Sequence, residues 1–511
     1  MSTEPAPKLA SGPDAPVSQP ASPEADGSPA RRRIGLLVGV LLAGAAFLAL
    51  PDSLSTGGRI TAAIAILMAV WWMTEAIPIP ATALLPLVLF PLFGVSAIGD
   101  VAAPYADDII FLFMGGFMLA LAMQRWNLHR RIALTIVAAV GTSPVMLIAG
   151  FMLATGFITM WVSNTATSVM MLPIGLSVLG LVTQLGDGKG DANFSTSLML
   201  GIAYSSSIGS VSTIIGTPPN ALMVGYLADN HGIEIGFGQW MLIGVPLAAV
   251  FLVLAWVVLT RFVYPPKIKR LPGGRALIRE QLHEMGPMSR GEWTVLAVFV
   301  CAALAWVFVP LLADSATVGG ALPWLANVSD AGIAMTVAVA LFLIPVDARK
   351  GVAVLDWETA LKLPWGVLLL FGGGLSLSSQ FTATGLSEWI GGRVGVLNMV
   401  PGWVLILIVA ALVLLLTELT SNTATAATFL PVMGGVAVGL DMDVMTLIIP
   451  TALAASLAFM LPVATPPNAI AFGSGYIKIG QMVKAGIWLN LIALVLVMIV
   501  MYTVAAWAFG L

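Results

Sequence analysis

The chain has little charge and almost no cysteine. Only 9% of its 511 residues are charged and 59% are hydrophobic, whereas a soluble protein carries about a quarter charged residues. A surface facing water needs that charge, so we expect lipid to replace water over most of the surface. The single cysteine, Cys301, excludes a disulfide within the chain. Its place in an apolar run favours a small packing residue over a reactive or metal-binding thiol.

Motifs for several other chemistries are missing from the sequence. There is no phosphate-binding loop, which disfavours ATP-driven transport. The three histidines, His129, His231 and His283, are expected in loops and do not form a metal cluster. The polar motifs described below lack an adjacent histidine or carboxylate base, which disfavours an intramembrane enzyme. We expect no nucleic-acid partner.

Hydropathy divides the chain into a polar tail and a series of apolar runs. Residues 1–33 are rich in Pro, Ala and Ser, and predict a disordered cytoplasmic tail rather than a secretory signal. Beyond it, runs long enough to cross about 30 Å of hydrocarbon recur. We predict an all-α polytopic membrane protein with about eleven transmembrane helices, near 34–50, 60–80, 81–97, 107–124, 196–227, 239–263, 292–313, 331–346, 364–384, 445–476 and 484–508. Two further apolar pairs, 144–182 and 402–439, are each interrupted by Ser-Asn-Thr and predict re-entrant hairpins, although charge parity alone also permits two full crossings.

The basic residues predict the orientation. If the chain starts inside and each hairpin returns to its own side, 20 of the 22 basic residues fall in the cytoplasm, and only Arg59 and Arg393 fall outside. This strong positive-inside bias predicts a cytoplasmic N-terminus and an external C-terminus in the cell (inner) membrane.

Three sequence pairs indicate an internal repeat. Residues 163–173 (SNTATSVMMLP) match 421–431 (SNTATAATFLP), and FLFMGG at 111–116 matches LLFGGG at 369–374, both at an offset of 258. GTPPNA at 216–221 matches ATPPNA at 464–469 at an offset of 248. An odd number of predicted crossings separates the copies, so the repeats are inverted. Such repeats place substrate and ion sites near the bilayer midplane, at broken helices.

The Thr-Pro-Pro-Asn motifs predict helix breaks deep in the membrane. Proline blocks a continuing helix, whereas threonine caps a new helix and proline suits its first position. With the Ser-Asn-Thr hairpin tips, four helix N-termini could converge on one site. Their free N–H groups attract carboxylates, while hydroxyl, amide and carbonyl oxygens suit a hard cation such as Na⁺.

These paired motifs resemble the divalent anion:sodium symporter family, which includes the sodium/dicarboxylate cotransporters. The resemblance covers essentially the whole chain after the tail and implies a homodimer in the lipid bilayer that works by an elevator motion. It implies scaffold parts at 34–135 and 292–395, transport parts at 136–263 and 396–511, and a cytoplasmic connector at 264–291. The implied activity is transport of a C4 dicarboxylate such as succinate, malate or fumarate, coupled to sodium ions. A sodium-independent dicarboxylate exchanger, a proton-linked carrier, or a carrier of another anion such as sulfate or a tricarboxylate stays open.

The resemblance also implies the site residues. The substrate would be bound by Ser163, Asn164, Thr165, Thr217, Ser421, Asn422, Thr423, Thr465 and Pro466. One sodium site would use Thr159, Ser163, Asn164 and the backbone of Gly216, and the other would use Thr417, Thr420, Asn422 and the backbone of Ala464.

Four acids lie within or next to the apolar runs. Glu418, three residues before Ser421, is a candidate for tuning the second cation site or carrying a proton, because an intramembrane carboxylate is a functional hypothesis by default. Glu75 fits an interfacial position equally well. Asp107 and Asp108 precede an apolar run and are expected to be solvated.

Overall fold

The chain folds almost entirely into helices. A computed structural model describes residues 29–141, 143–185, 191–268, 274–313, 315, 317–393, 395 and 399–510. Within these ranges there are twenty-five α-helices and one small antiparallel sheet of two strands. The predicted helical membrane fold is thereby confirmed.

The first half runs from the N-terminal helices to the connector. Its helices are α1 (Pro29–Ala49), α2 (Thr56–Thr74), α3 (Ile79–Thr82), α4 (Leu85–Leu92), α5 (Ile98–Ala102), α6 (Asp108–Arg125), α7 (Leu128–Val140), α8 (Pro144–Thr159), α9 (Asn164–Leu185), α10 (Ala192–Ser210), α11 (Pro218–His231), α12 (Phe237–Val257) and α13 (Gly274–Glu284). A π-helical stretch, Val258–Val263, extends α12.

The second half contains a similar succession of elements. They are α14 (Arg290–Ala313), α15 (Val318–Ala321), α16 (Asp330–Leu343), β1 (Pro345–Asp347), β2 (Val352–Ala353), α17 (Trp357–Ala360), α18 (Trp365–Ala383), α19 (Leu386–Arg393), α20 (Gly402–Thr417), α21 (Asn422–Gly439), α22 (Met445–Ser456), α23 (Pro466–Gly473), α24 (Ile479–Val500) and α25 (Ala506–Phe509). A π-helical stretch, Met501–Ala505, joins α24 to α25.

Seven helical stretches within the described ranges are long and apolar enough to cross a membrane. They are Arg32–Ala49, Thr56–Thr74, Ile98–Arg125, Phe237–Val263, Arg290–Ala313, Trp365–Ala383 and Ile479–Phe509. Six shorter apolar helices of the described ranges lie between them; Pro144–Thr159, Asn164–Gly180 and Gly402–Thr417 flank the Ser-Asn-Thr turns, and Met445–Ser456 precedes the second helix break. The predicted number of eleven crossings stays a prediction, since length and composition alone identify seven.

The most deeply buried elements are the broken helices and their neighbours. Every described side chain of α10 from Phe194 to Ser210 is buried, including several serines. α10 packs closely against hairpin helix α8, and α22 packs against α20 and α21. Polar residues therefore occupy the interior of the protein, where they need hydrogen-bond partners or ligands.

The structure corrects several expectations. Helix α1 begins at Pro29, so the tail prediction of 1–33 was too long by five residues; proline is accepted in a first helical turn, and arginine is a good helix former. The remainder of that predicted tail, 1–28, lies outside the described residues. The histidines were wrongly expected in loops, because His129, His231 and His283 lie in α7, α11 and α13. Cys301 is exposed on α14 rather than packed inside.

Candidate functional site

Two helix breaks form the centre of the candidate site. As predicted, α11 and α23 each begin at the first proline of Thr-Pro-Pro-Asn, with Thr217 and Thr465 as extended N-cap residues. Between α10 and α11, residues 211–217 leave the α-helix, and residues 457–465 do so between α22 and α23. Both N-cap threonines are buried. The breaks expose backbone groups in the interior of the protein, and these groups must be satisfied.

The asparagines of the two motifs satisfy part of that requirement. Asn220 Nδ2 donates to the carbonyls of Val211 and Thr213 at 3.2 and 2.9 Å. Asn468 Nδ2 makes the corresponding bonds to Ala458 and Leu461 at 3.3 and 3.0 Å. These residues were not among the predicted site residues, although their equal place in the two motif copies was a usable signal. They hold each non-helical segment in a fixed shape beside the N-terminus of its half-helix.

The first hairpin tip is bound to the first helix break. Ser163 Oγ accepts a hydrogen bond from Ala166 N at 3.3 Å and so caps α9. The Asn164 carbonyl accepts from Ser206 Oγ at 2.8 Å, and the Met160 carbonyl accepts from Thr213 Oγ1 at 2.6 Å. Only neutral groups make these contacts. They bring the predicted residues Ser163 and Asn164 next to the segment that ends at Gly216 and Thr217.

The second hairpin tip makes a denser set of bonds. Thr417 Oγ1 donates to Asn422 Oδ1 at 2.7 Å and lies 2.9 Å from the Ala455 carbonyl. Thr420 Oγ1 lies 2.7 Å from Thr425 Oγ1. Three predicted site residues, Thr417, Thr420 and Asn422, are thus grouped at the start of α21. Ser421 is the N-cap of α21 but its side chain makes no capping bond.

Glu418 is the most heavily bonded side chain at either tip. It is buried, and its carboxylate accepts from Phe459 N, Met460 N and Leu461 N at 2.8 to 3.1 Å. Asn490 Nδ2 of α24 donates to it at 2.7 Å. A carboxylate that receives several N–H groups is well compensated for burial. Glu418 therefore fixes the second helix break, and Asn490 is a partner that sequence analysis missed.

The two halves are joined crosswise by helix packing. Half-helix α11 packs against α21 of the second hairpin, and half-helix α23 packs against α9 of the first. The four helix starts thus belong to one packed unit. Among the predicted substrate residues, Thr217 and Thr465 are buried, whereas Ser163, Asn164, Ser421, Asn422 and Thr423 are half-buried and Thr165 and Pro466 are exposed.

Several buried side-chain oxygens at the site have spare acceptor capacity. Within the described residues, these atoms have no hydrogen-bond partner: Thr159 Oγ1, Thr167 Oγ1, Ser168 Oγ, Ser207 Oγ, Asn220 Oδ1 and Asn468 Oδ1. Hydroxyl and amide oxygens are ligands for hard cations, and leaving them unpaired in the interior is costly. Five of these six atoms belong to the first half.

Two glycines allow other helices to reach the non-helical segments. A methyl group on Gly486 of α24 would overlap the backbone of Phe459 and Met460, and one on Gly244 of α12 would overlap the backbone of Val211 and Ser212. Close approach of backbone to backbone requires glycine at both places.

We expect Gly486→Ala to lower stability by about 1–3 kcal/mol through overpacking and to reduce transport. Thermal unfolding in detergent and uptake in proteoliposomes would measure the two effects. Gly480→Ala in the same helix is the matched control, because a methyl group there meets no atom within 4 Å. Equal behaviour of the two variants would contradict the close-approach argument.

Comparison with known proteins places this architecture among membrane transporters. The fold is similar to that of the YdaH transporter of Alcanivorax borkumensis (TM-score 0.58, 15% identity, 88% of this chain and 98% of that chain). It is also similar to MtrF of Neisseria gonorrhoeae (TM-score 0.55, 12% identity, 94% of each chain). The chain therefore shares the overall fold of these two proteins.

Residues 32–510 match the family described as sodium:sulfate symporter transmembrane region, and the chain belongs to this family. It is 44% identical over 479 residues to the sodium-dependent dicarboxylate transporter SdcS of Staphylococcus saprophyticus subsp. saprophyticus, covering 92% of this chain and 91% of that protein. It is 42% identical over 477 residues to SdcS of Staphylococcus aureus strain USA300, with the same coverage. The resemblance to the divalent anion:sodium symporters is thereby confirmed. The prediction that the chain is a transporter rather than an enzyme is confirmed as well.

Proposed function

We propose that the chain is a sodium-coupled transporter of C4 dicarboxylates such as succinate, malate and fumarate. The observation that carries the proposal is the pair of intact Ser-Asn-Thr tips, each hydrogen-bonded to its own broken helix. Two similar half-sites suit a ligand with two carboxylates. The relatives at 42–44% identity, which are named sodium-dependent dicarboxylate transporters, support the same substrate class and ion.

The site residues divide by chemistry. We propose that Ser163, Asn164, Thr165 and Thr217 bind one carboxylate, and that Ser421, Asn422, Thr423, Thr465 and Pro466 bind the other. Neutral donors and helix N-termini attract an anion without the strong charge pairing that would slow its release. Sodium would be held by Thr159, Ser163, Asn164 and Gly216 in the first half, and by Thr417, Thr420, Asn422 and Ala464 in the second. The unpartnered oxygen of Thr159 supports the first of these sets.

We further propose that the chain forms a homodimer. In each subunit, the transport parts, 136–263 and 396–511, would move against the scaffold parts, 34–135 and 292–395. The connector, 264–291, would lie in the cytoplasm. The N-terminus would be cytoplasmic and the C-terminus external. The inverted sequence repeat supports such an elevator motion, because exchanging the conformations of the two halves opens the site to the opposite side.

Uptake of labelled succinate into proteoliposomes tests the proposal. We expect accumulation when sodium is high outside, and little uptake when sodium is replaced by potassium. Uptake that needs internal dicarboxylate and ignores sodium would favour an exchanger instead. If succinate is not taken up under any of these conditions while sulfate is, the dicarboxylate assignment is wrong.

A further inference from the structure

Two acidic side chains meet where α11 packs against α6. Asp229 lies in the last turn of α11, beyond the predicted apolar span 196–227, and its carboxyl is within hydrogen-bonding reach of the Asp107 carboxyl. Asp107 is the N-cap of α6, and its Oδ1 accepts from Ile109 N at 2.9 Å. Asp107 was expected to be solvated, as Asp108 is, but it is partly buried.

Neighbouring contacts show that this is a docking surface between the two proposed parts. Asn230, next to Asp229, donates through Nδ2 to Ser378 Oγ at 3.2 Å and accepts from Thr382 Oγ1 at 3.0 Å. Ser378 and Thr382 lie on α18, which like α6 belongs to the proposed scaffold. α11 belongs to the proposed transport part. The carboxyl pair is therefore held together only while the two parts are docked in this way.

The charges around Asp229 are nearly all negative. Asp107 and Asp108 face it from α6, α18 contributes neutral hydroxyls, and α21 and α22 carry no titratable side chain. Asp443, in the turn before α22, faces His231, and Glu234 is exposed in the chain that follows α11.

Burial raises the pKa of Asp229 from 3.8 to about 7, with further increases from Asp107 and Asp108. Two carboxylates this close cannot both ionise without repulsion.

We infer that Asp229 binds a proton while its carboxyl lies against that of Asp107, and that this proton stabilises docking of the transport part on the scaffold. The inference rests on the proposed elevator motion. When the parts separate, Asp229 returns to water and releases the proton. A shared proton replaces carboxylate repulsion with a hydrogen bond, so docking is favoured in acid and weakened in base.

The direction of the pH effect follows from linkage. A carboxyl with a raised pKa in the docked form stabilises that form fully at pH values below its ordinary pKa, and the stabilisation declines as the pH rises towards about 7. Full linkage gives about a twentyfold change in the docking equilibrium between about pH 5.5 and 7.5. The Asp229 side chain is partly exposed to water, so screening should reduce this to about three- to tenfold.

Distances between spin labels test the inference without requiring transport. The exposed residues Ile98 and Val438 would be replaced by cysteine and labelled in a Cys301→Ser background. For the otherwise unchanged protein, double electron–electron resonance should show the ratio of docked to undocked protein falling about three- to tenfold from pH 5.5 to 7.5. Asp229→Asn should keep the ratio of docked to undocked protein high at both pH values, whereas Asp107→Asn should weaken the pH response without abolishing it, because the burial that mainly raises the pKa of Asp229 remains. Asparagine at 107 preserves the helix cap, so that variant should fold.

Asp100→Asn is the matched control, since Asp100 is an exposed acid on α5 that does not face Asp229; it should retain the full pH response. If the distances respond to sodium and succinate but not to pH, the proton site is wrong and the elevator motion stands. If Asp229→Asn keeps the pH response, the proton is bound elsewhere. If the distances change with neither pH nor the addition of sodium and succinate, the proposed elevator motion itself is wrong.

Discussion

Replacing Asn422 with alanine is expected to abolish sodium-driven succinate uptake while the protein still inserts and dimerises. Asn422 Oδ1 accepts the Thr417 hydroxyl at 2.7 Å, and that hydroxyl also touches the Ala455 carbonyl in the second broken helix. Without the amide, Thr417 loses one of its two hydrogen-bond partners, and the proposed second cation site loses an oxygen ligand. A hydrogen bond to a charged group contributes about 1.5–3 kcal/mol, so we expect a loss of about 100-fold or more once substrate and sodium contacts are both affected.

The equivalent change in the first half, Asn164→Ala, should have a similar effect on uptake. Initial rates at matched amounts of reconstituted protein are the measurement. Asn327→Ala is the control, because Asn327 is an exposed asparagine at the end of the 3₁₀ helix Pro323–Asn327, before α16. Near-normal uptake by either site variant would show that its Ser-Asn-Thr triplet is structural.

Glu418→Gln is expected to be strongly destabilising although the substitution is conservative in size. Three backbone N–H groups and the Asn490 amide all point at the carboxylate. Glutamine replaces one acceptor oxygen with a donor, so at least one buried N–H loses its partner and another meets an N–H₂ group. The cost should be about 2–4 kcal/mol, visible as a lower unfolding temperature in detergent together with loss of uptake.

The exposed Glu358 on α17 provides the control for this experiment, since Glu358→Gln removes the same charge outside the interior. A Glu418→Gln protein of unchanged thermal stability would mean that the carboxylate contributes little to holding the break. Glu418→Asp should lack uptake as well, because the shorter side chain cannot reach residues 459–461 from the same backbone position.

The sequence predicted those parts of the site that local chemistry determines. Proline after threonine determines where α11 and α23 begin, and the polar Ser-Asn-Thr triplets determine where the hairpins turn. Both patterns act within a few residues, so they can be recognised without knowing what packs nearby.

Contacts between distant segments could not be predicted in this way. Glu418 was recognised as an unusual acid, but its partners are 41 to 72 residues away, and no spacing rule connects them. Helices α7 and α19 were also missed, because each is too short to be recognised as a membrane crossing. The crosswise packing of α11 on α21 depends on the tertiary fold, to which hydropathy is insensitive.

The two hairpin tips are held by different chemistry despite their matching sequences. Where the second half has Glu418, the first half has Met160 at the equivalent position. Met160 contacts the first helix break only through its backbone carbonyl, which accepts from the Thr213 hydroxyl. The second helix break is consequently held more firmly, whereas the first half has more unpartnered oxygens and more freedom to adjust. When a ligand bridges the two halves, the protein should therefore lose conformational entropy mainly in its first half. Dicarboxylates of different shape should be accommodated by adjustments of that half.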